Sequence, residues 1–111
     1  MLTNECVSKL SRELDLEVSR DRVLRYADLV GVKKNEDNDY RDITEADAKK
    51  IKLVTCLFEV GIGQEDIVEF LSKPITGESF NGIVDKVEKK SSIAGVTFQL
   101  LSEYAFNKLD K

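Results

Sequence analysis

Between Ser19 and Lys34, five basic side chains (Arg20, Arg22, Arg25, Lys33 and Lys34) stand against two acidic ones, Asp21 and Asp28. The chain as a whole is acidic, with a net charge of −4. Electrostatic recognition acts locally, so a cationic stretch inside an acidic protein is a candidate anion-binding surface. Arginine can fork two oxygens of a phosphate or the O6 and N7 edge of guanine, so the chemistry suggested is nucleic-acid recognition. The same residues could equally form a solvated face paired to Asp21, Asp28 and nearby acids. A second pair of interest is Tyr40-Arg41, a hydrogen-bonding aromatic beside a phosphate fork, three residues ahead of a helix-start signal at Thr44. Lys49, Lys50 and Lys52 follow on the predicted helix and add positive charge.

Other chemistries are poorly supplied. There is no histidine, which removes the usual general base and the Ser-His and Cys-His nucleophile schemes. Carboxylates abound, but no pair sits in an apolar context that would split their proton affinities. The two cysteines, Cys6 and Cys56, lack metal-ligand spacing and read as small buried thiols. The expectation is a non-enzyme without metal or cofactor. With 41% hydrophobic and 34% charged residues, the 111-residue chain is of single-domain size for a globular protein. No apolar run is long enough to cross a bilayer, and no signal-peptide pattern opens the chain, so a cytoplasmic location is expected.

The elements that must position the cations follow from local signals. Val7, Leu10 and Leu14 predict a first helix over about 4–14, capped by Thr3 or Asn4. Ser19 caps a second helix over 20–30, with Val23, Leu24, Ala27 and Val30 as its apolar stripe and Gly31 as its stop. Apolar Val32 before, and Tyr40 and Ile43 after, the polar run 35–39 predict a small hairpin. Its acidic tip at 36–39 would repel a phosphate backbone unless it points away. Thr44 and Asp47 predict a capping box for a third helix that Gly61 ends, and a fourth helix is expected over 64–71. Pro74 and Gly77 then separate a winged helix-turn-helix region, 1–72, from a C-terminal helical region, 77–111.

The residues 23–32 (VLRYADLVGV) and 40–71 (YRDITEADAKKIKLVTCLFEVGIGQEDIVEFL), with the spacing between them, resemble the DNA-binding domain of the MerR family. The matches are Leu24-Arg25-Tyr26, Gly31, Tyr40-Arg41, Thr44 through Asp47, Gly61 and Ile67, over about residues 5–71. The chain departs at Glu17, Ala27 and Gln64, where the family commonly has glycine, tyrosine and leucine. The resemblance implies a homodimeric transcriptional regulator on a pseudo-palindromic duplex site. Arg25, Tyr26, Tyr40 and Arg41 would then be DNA contacts, Arg20 and Arg22 the base readers, and Lys33, Lys34 and Lys49 further cationic contacts. RNA polymerase or another protein is a further candidate partner. A protein-interaction module that kept the fold but lost DNA binding, and an excisionase-like DNA-bending protein, are the competing readings.

In the C-terminal region Phe80, Val84, Val87, Ser91, Ala94, Phe98, Leu101 and Ala105 alternate by four and three, an a/d heptad pattern. It fits either a long helix pairing with a second copy or a helical hairpin bent near 90–92 and packed on the same chain. We read it as a dimerisation element, the part such a helix plays in the MerR family, with Phe80, Val84, Val87, Ala94, Phe98, Leu101 and Ala105 as the seam. A regulator without the ligand-cysteine segment or drug-binding domain of MerR-family sensors is expected.

Overall fold

Helix signals written in single side chains set the architecture. The computed structural model describes residues 1–34 and 42–109, and only the backbone at 109. Six helices appear among them: α1 (Thr3–Leu14), α2 (Arg20–Leu29), α3 (Glu45–Glu59), α4 (Gln64–Ser72), α5 (Gly77–Lys86) and α6 (Ala94–Leu109). The fold is therefore mainly α, and no strand occurs among the described residues. The hairpin expected before α3, including Tyr40 and Arg41, lies outside them.

The chain divides into two compact units, Met1–Lys52 and Leu53–Lys111, and the dividing point falls inside α3. The break at Pro74 and Gly77 lies between α4 and α5, within the second unit.

In the first unit α1 starts one residue earlier than expected. Thr3 is inside the helix and buried, and the N–H of Leu2 donates to Glu5 Oε1 at 3.4 Å. Asp15 closes α1 in the left-handed region (φ 52°), a conformation aspartate tolerates better than most residues. A five-residue turn leads to Ser19, whose Oγ accepts the Arg22 N–H at 3.2 Å and caps α2. Gly31 (φ 86°) ends it, with Val32 N–H donating back to the Ala27 carbonyl at 2.9 Å. Met1 and Ile43 exchange hydrogen bonds in both directions, the Met1 amine donating at 2.6 Å and the Ile43 N–H at 2.9 Å. Thr44 and Asp47 then form the expected capping box: Asp47 N–H donates to Thr44 Oγ1 at 3.0 Å and Thr44 N–H to Asp47 Oδ2 at 3.2 Å. Two ion pairs link α1 to α3, Lys9 to Glu45 in its first turn at 2.7 Å and Lys52 to Glu13 two turns further on at 3.7 Å. The hydrogen bond from Lys9 holds Glu45 below the usual carboxylate range and raises Lys9 in turn.

In the second unit Gly61 (φ 91°) turns the chain after α3, and Thr76 caps α5 by a reciprocal pair with Ser79. The heptad stripe does not run as one helix. α5 stops at Lys86 and α6 begins at Ala94, with the polar run 88–92 in the break. Val87, Ala94, Leu101 and Ala105 are buried within the single chain, Leu101 completely. Phe80, Val84 and Phe98 are half-buried. Four of the seven expected seam positions are thus covered within the single chain. Val96 and Phe106, absent from that seam, are apolar side chains that α6 leaves exposed, Phe106 to 67%.

Two measurements check this packing. Leu101→Ala should cost about 2–5 kcal/mol in denaturant unfolding, the range for emptying a closed core site, while Phe106→Ala should change stability little. A Lys9/Glu45 double-mutant cycle should show favourable coupling at neutral pH. That coupling disappears as acid titrates Glu45 below its ordinary 4.5, because the depressed carboxylate stabilises the fold only while ionised.

Candidate nucleic-acid interface

The rotation of α2 decides which cations meet. Val23, Tyr26 and Ala27 are 0–1% exposed and fix the inward side of the helix. At 100° per residue, Arg22 and Arg25 lie roughly 60° apart on the flank of that side, so they are neighbours. Their guanidinium carbons lie 5.6 Å and 5.3 Å from the centroid of the Tyr26 ring. Arg22 Nε–H also donates to the Tyr26 hydroxyl at 3.2 Å. Two cations therefore converge on one buried aromatic ring, within cation–π range of it.

Arg20 does not join them. The same geometry turns it roughly 140° from Arg25 and roughly 160° from Arg22, although it is exposed. The expected base readers Arg20 and Arg22 therefore lie on different sides of α2. Tyr26, expected as a DNA contact, is 1% exposed and packs as a core residue. Lys33, Lys34 and Lys49 are exposed. Asp21 and Asp28 are also exposed and lie on the outer side of α2 near Arg25, so this face carries both signs of charge.

The start of α3 is already occupied by its own cap. Thr44 accepts the Asp47 N–H, and Glu45 and Asp47 place two carboxylates in that first turn. Lys52 is drawn to Glu13. What sequence reading missed is the link from Arg22 to Tyr26. Its signal was available: an arginine four residues before a tyrosine on a helix is within side-chain reach.

Elsewhere the described residues supply little chemistry. No group of three or more Cys, Asp or Glu side chains could hold a metal ion among them. No helix among them is long and apolar enough to cross a membrane. Cys6 and Cys56 are fully buried free thiols, and burial pushes the Cys6 thiol up from its ordinary value. Burial likewise raises the Tyr104 phenol, which packs against Phe70 with ring centroids 5.7 Å apart. A cleft of about 170 Å³ lies between α4 and α5, floored by Phe70 and Ile83 and crossed by the Lys86–Asp66 ion pair at 2.9 Å.

No family model matches the chain, and no curated protein or solved structure matches it.

The burial of both thiols predicts that a water-soluble thiol reagent at neutral pH leaves the folded protein unmodified and titrates two groups after denaturation. Fast labelling of the folded chain would show that Cys6 or Cys56 is open to solvent.

Proposed function

We propose that the chain is a sequence-specific, double-stranded-DNA-binding regulator of transcription that docks through α2. The observation that carries this reading is the convergence of Arg22 and Arg25 on the Tyr26 ring, on the second helix of a helix–turn–helix pair. A recognition helix needs two or three cationic donors held at one place on its surface, because base edges are read by a few side chains at fixed spacing. The exposed Lys33 and Lys34, just beyond α2, supply charge suited to the backbone. Arg22 is the base reader in this reading, and Arg25 serves the adjacent phosphates. The resemblance to the MerR family likewise implies DNA contacts from Arg22 and Arg25.

The reading includes a homodimer, since a pseudo-palindromic site asks for two copies. Such a dimer would draw on Val96 and Phe106 of α6 rather than on the heptad positions that the chain buries.

The net charge of −4, together with Asp21 and Asp28 exposed on α2, favours a second reading. In it the same face docks a protein of mixed charge, and duplex DNA is not a ligand.

Selection from random duplexes, followed by titration at several salt concentrations, separates the two. A DNA-binding regulator yields a defined site, and log K falls linearly with log salt. Arg25→Ala should weaken all duplexes alike and lower that slope by about one, whereas Arg22→Ala should cost about 1–3 kcal/mol on the selected site and broaden it. Absence of any duplex binding at low salt would leave the protein-docking reading standing.

A further inference from the structure

We propose that the cleft between α4 and α5, within the second unit, binds a free α-amino acid with an aromatic or branched aliphatic side chain. This role goes beyond the duplex reading and does not depend on it. Asp66, Glu69, Phe70 and Lys73 bring one helical stripe to the cleft from α4 and its C-terminal cap. Gly82, Ile83 and Lys86 face them from α5 at the same kind of spacing. Phe70 and Ile83 make an apolar floor under a volume of about 170 Å³. An apolar cavity of about 150 Å³ takes one benzene molecule, so this space suits a single ring or branched side chain. Gly82 keeps it open. Glycine is a poor residue for the interior of a helix, and a Cβ at this position would meet no atom within 4 Å.

The rim decides the class of ligand. It holds two acids and two bases, joined as Lys86–Asp66 at 2.9 Å and Lys73–Glu69 at 3.0 Å. Their side chains are 43–66% exposed, and ion pairs of that kind open easily. An anionic ligand would take a lysine and leave its acid unpaired, and a cationic ligand would do the reverse. A molecule that carries an ammonium and a carboxylate on one carbon offers a new partner to each side of an opened pair. Joined to an apolar group that covers Phe70 and Ile83, such a head group is an α-amino acid.

Titration of the full chain with L-phenylalanine and with L-leucine, followed in nitrogen-15 amide spectra, tests this. The Gly82 and Lys86 signals should shift and saturate. Leucinamide and N-acetyl-leucine each lack one charge of the head group. Each should bind about tenfold more weakly than leucine, the loss expected when a hydrogen bond to a charged group is removed. Gly82→Leu fills the space with a residue that favours a helix, so the thermal midpoint should not fall and saturable binding should disappear. Lys86→Gln alters a half-exposed side chain, so it should keep the fold and weaken binding by about tenfold. Absence of saturation with either amino acid, up to the limit of its solubility, overturns the proposal. Equal binding of leucine, leucinamide and N-acetyl-leucine also overturns it, because the charged rim would then play no part. Undiminished binding by Gly82→Leu or by Lys86→Gln does the same, because it moves the site elsewhere. The titration contains no DNA, so its result stands apart from the duplex reading.

Discussion

A tyrosine buried to 1% must find a partner for its hydroxyl, and in this chain that requirement organises the first unit's cationic helix. Val23 and Ala27 could be satisfied by any apolar surroundings, but Tyr26 cannot. Its ring needs the core and its oxygen needs a donor. Arg22, one turn earlier, supplies a donor. With that link made, the rotation of α2 is settled. Arg25 falls beside Arg22, Arg20 turns away, and Ser19 and Gly31 fix where the helix begins and ends. The cationic site is thus a by-product of how the core is closed.

The acidity of the whole chain and the basic character of this stretch are compatible because many charges are committed to structure. Lys9 and Lys52 are held by Glu45 and Glu13 in the first unit, and Lys73 and Lys86 by Glu69 and Asp66 in the second. Pairs of this exposed kind contribute little individually to stability. Their effect on recognition is larger, since a paired lysine no longer projects a net field. The first turn of α3 illustrates the point: Glu45 and Asp47 complement the helix dipole and complete the cap, and in doing so they make that helix start a poor anion site.

What was legible in the sequence was the chemistry contained in a few neighbouring residues. The Ser19 cap, the Thr44 and Asp47 box, and the stops at Gly31 and Gly61 were each foreseen, because each is decided within one helical turn. The heptad stripe was visible but misleading. Periodicity shows that Leu101 and Ala105 want to be covered, and it is silent on whether the cover is the same chain or a second copy. The polar run 88–92, with Ser91 at a seam position, was the clue that α5 and α6 are separate helices. Tyr26 was ambiguous for a different reason. A tyrosine beside an arginine on a cationic helix suits surface contact and core anchoring equally, and only the burial of the neighbouring stripe distinguishes the two.

Burial of Tyr26 also changes what kind of specificity the helix can supply. An arginine on a mobile stem adapts to many partners and loses that freedom each time it docks, which weakens every complex to a similar degree. One anchored at Nε has a single preferred plane, so a partner that matches the plane gains and one that does not is penalised by strain or by a broken link to the hydroxyl. In the duplex reading proposed above, discrimination between partners would then draw on the core as well as on the surface, and a change that leaves the surface charge intact could still alter it. Asp21 and Asp28, exposed on the outer side of α2, would lower the general attraction of the helix for any polyanion.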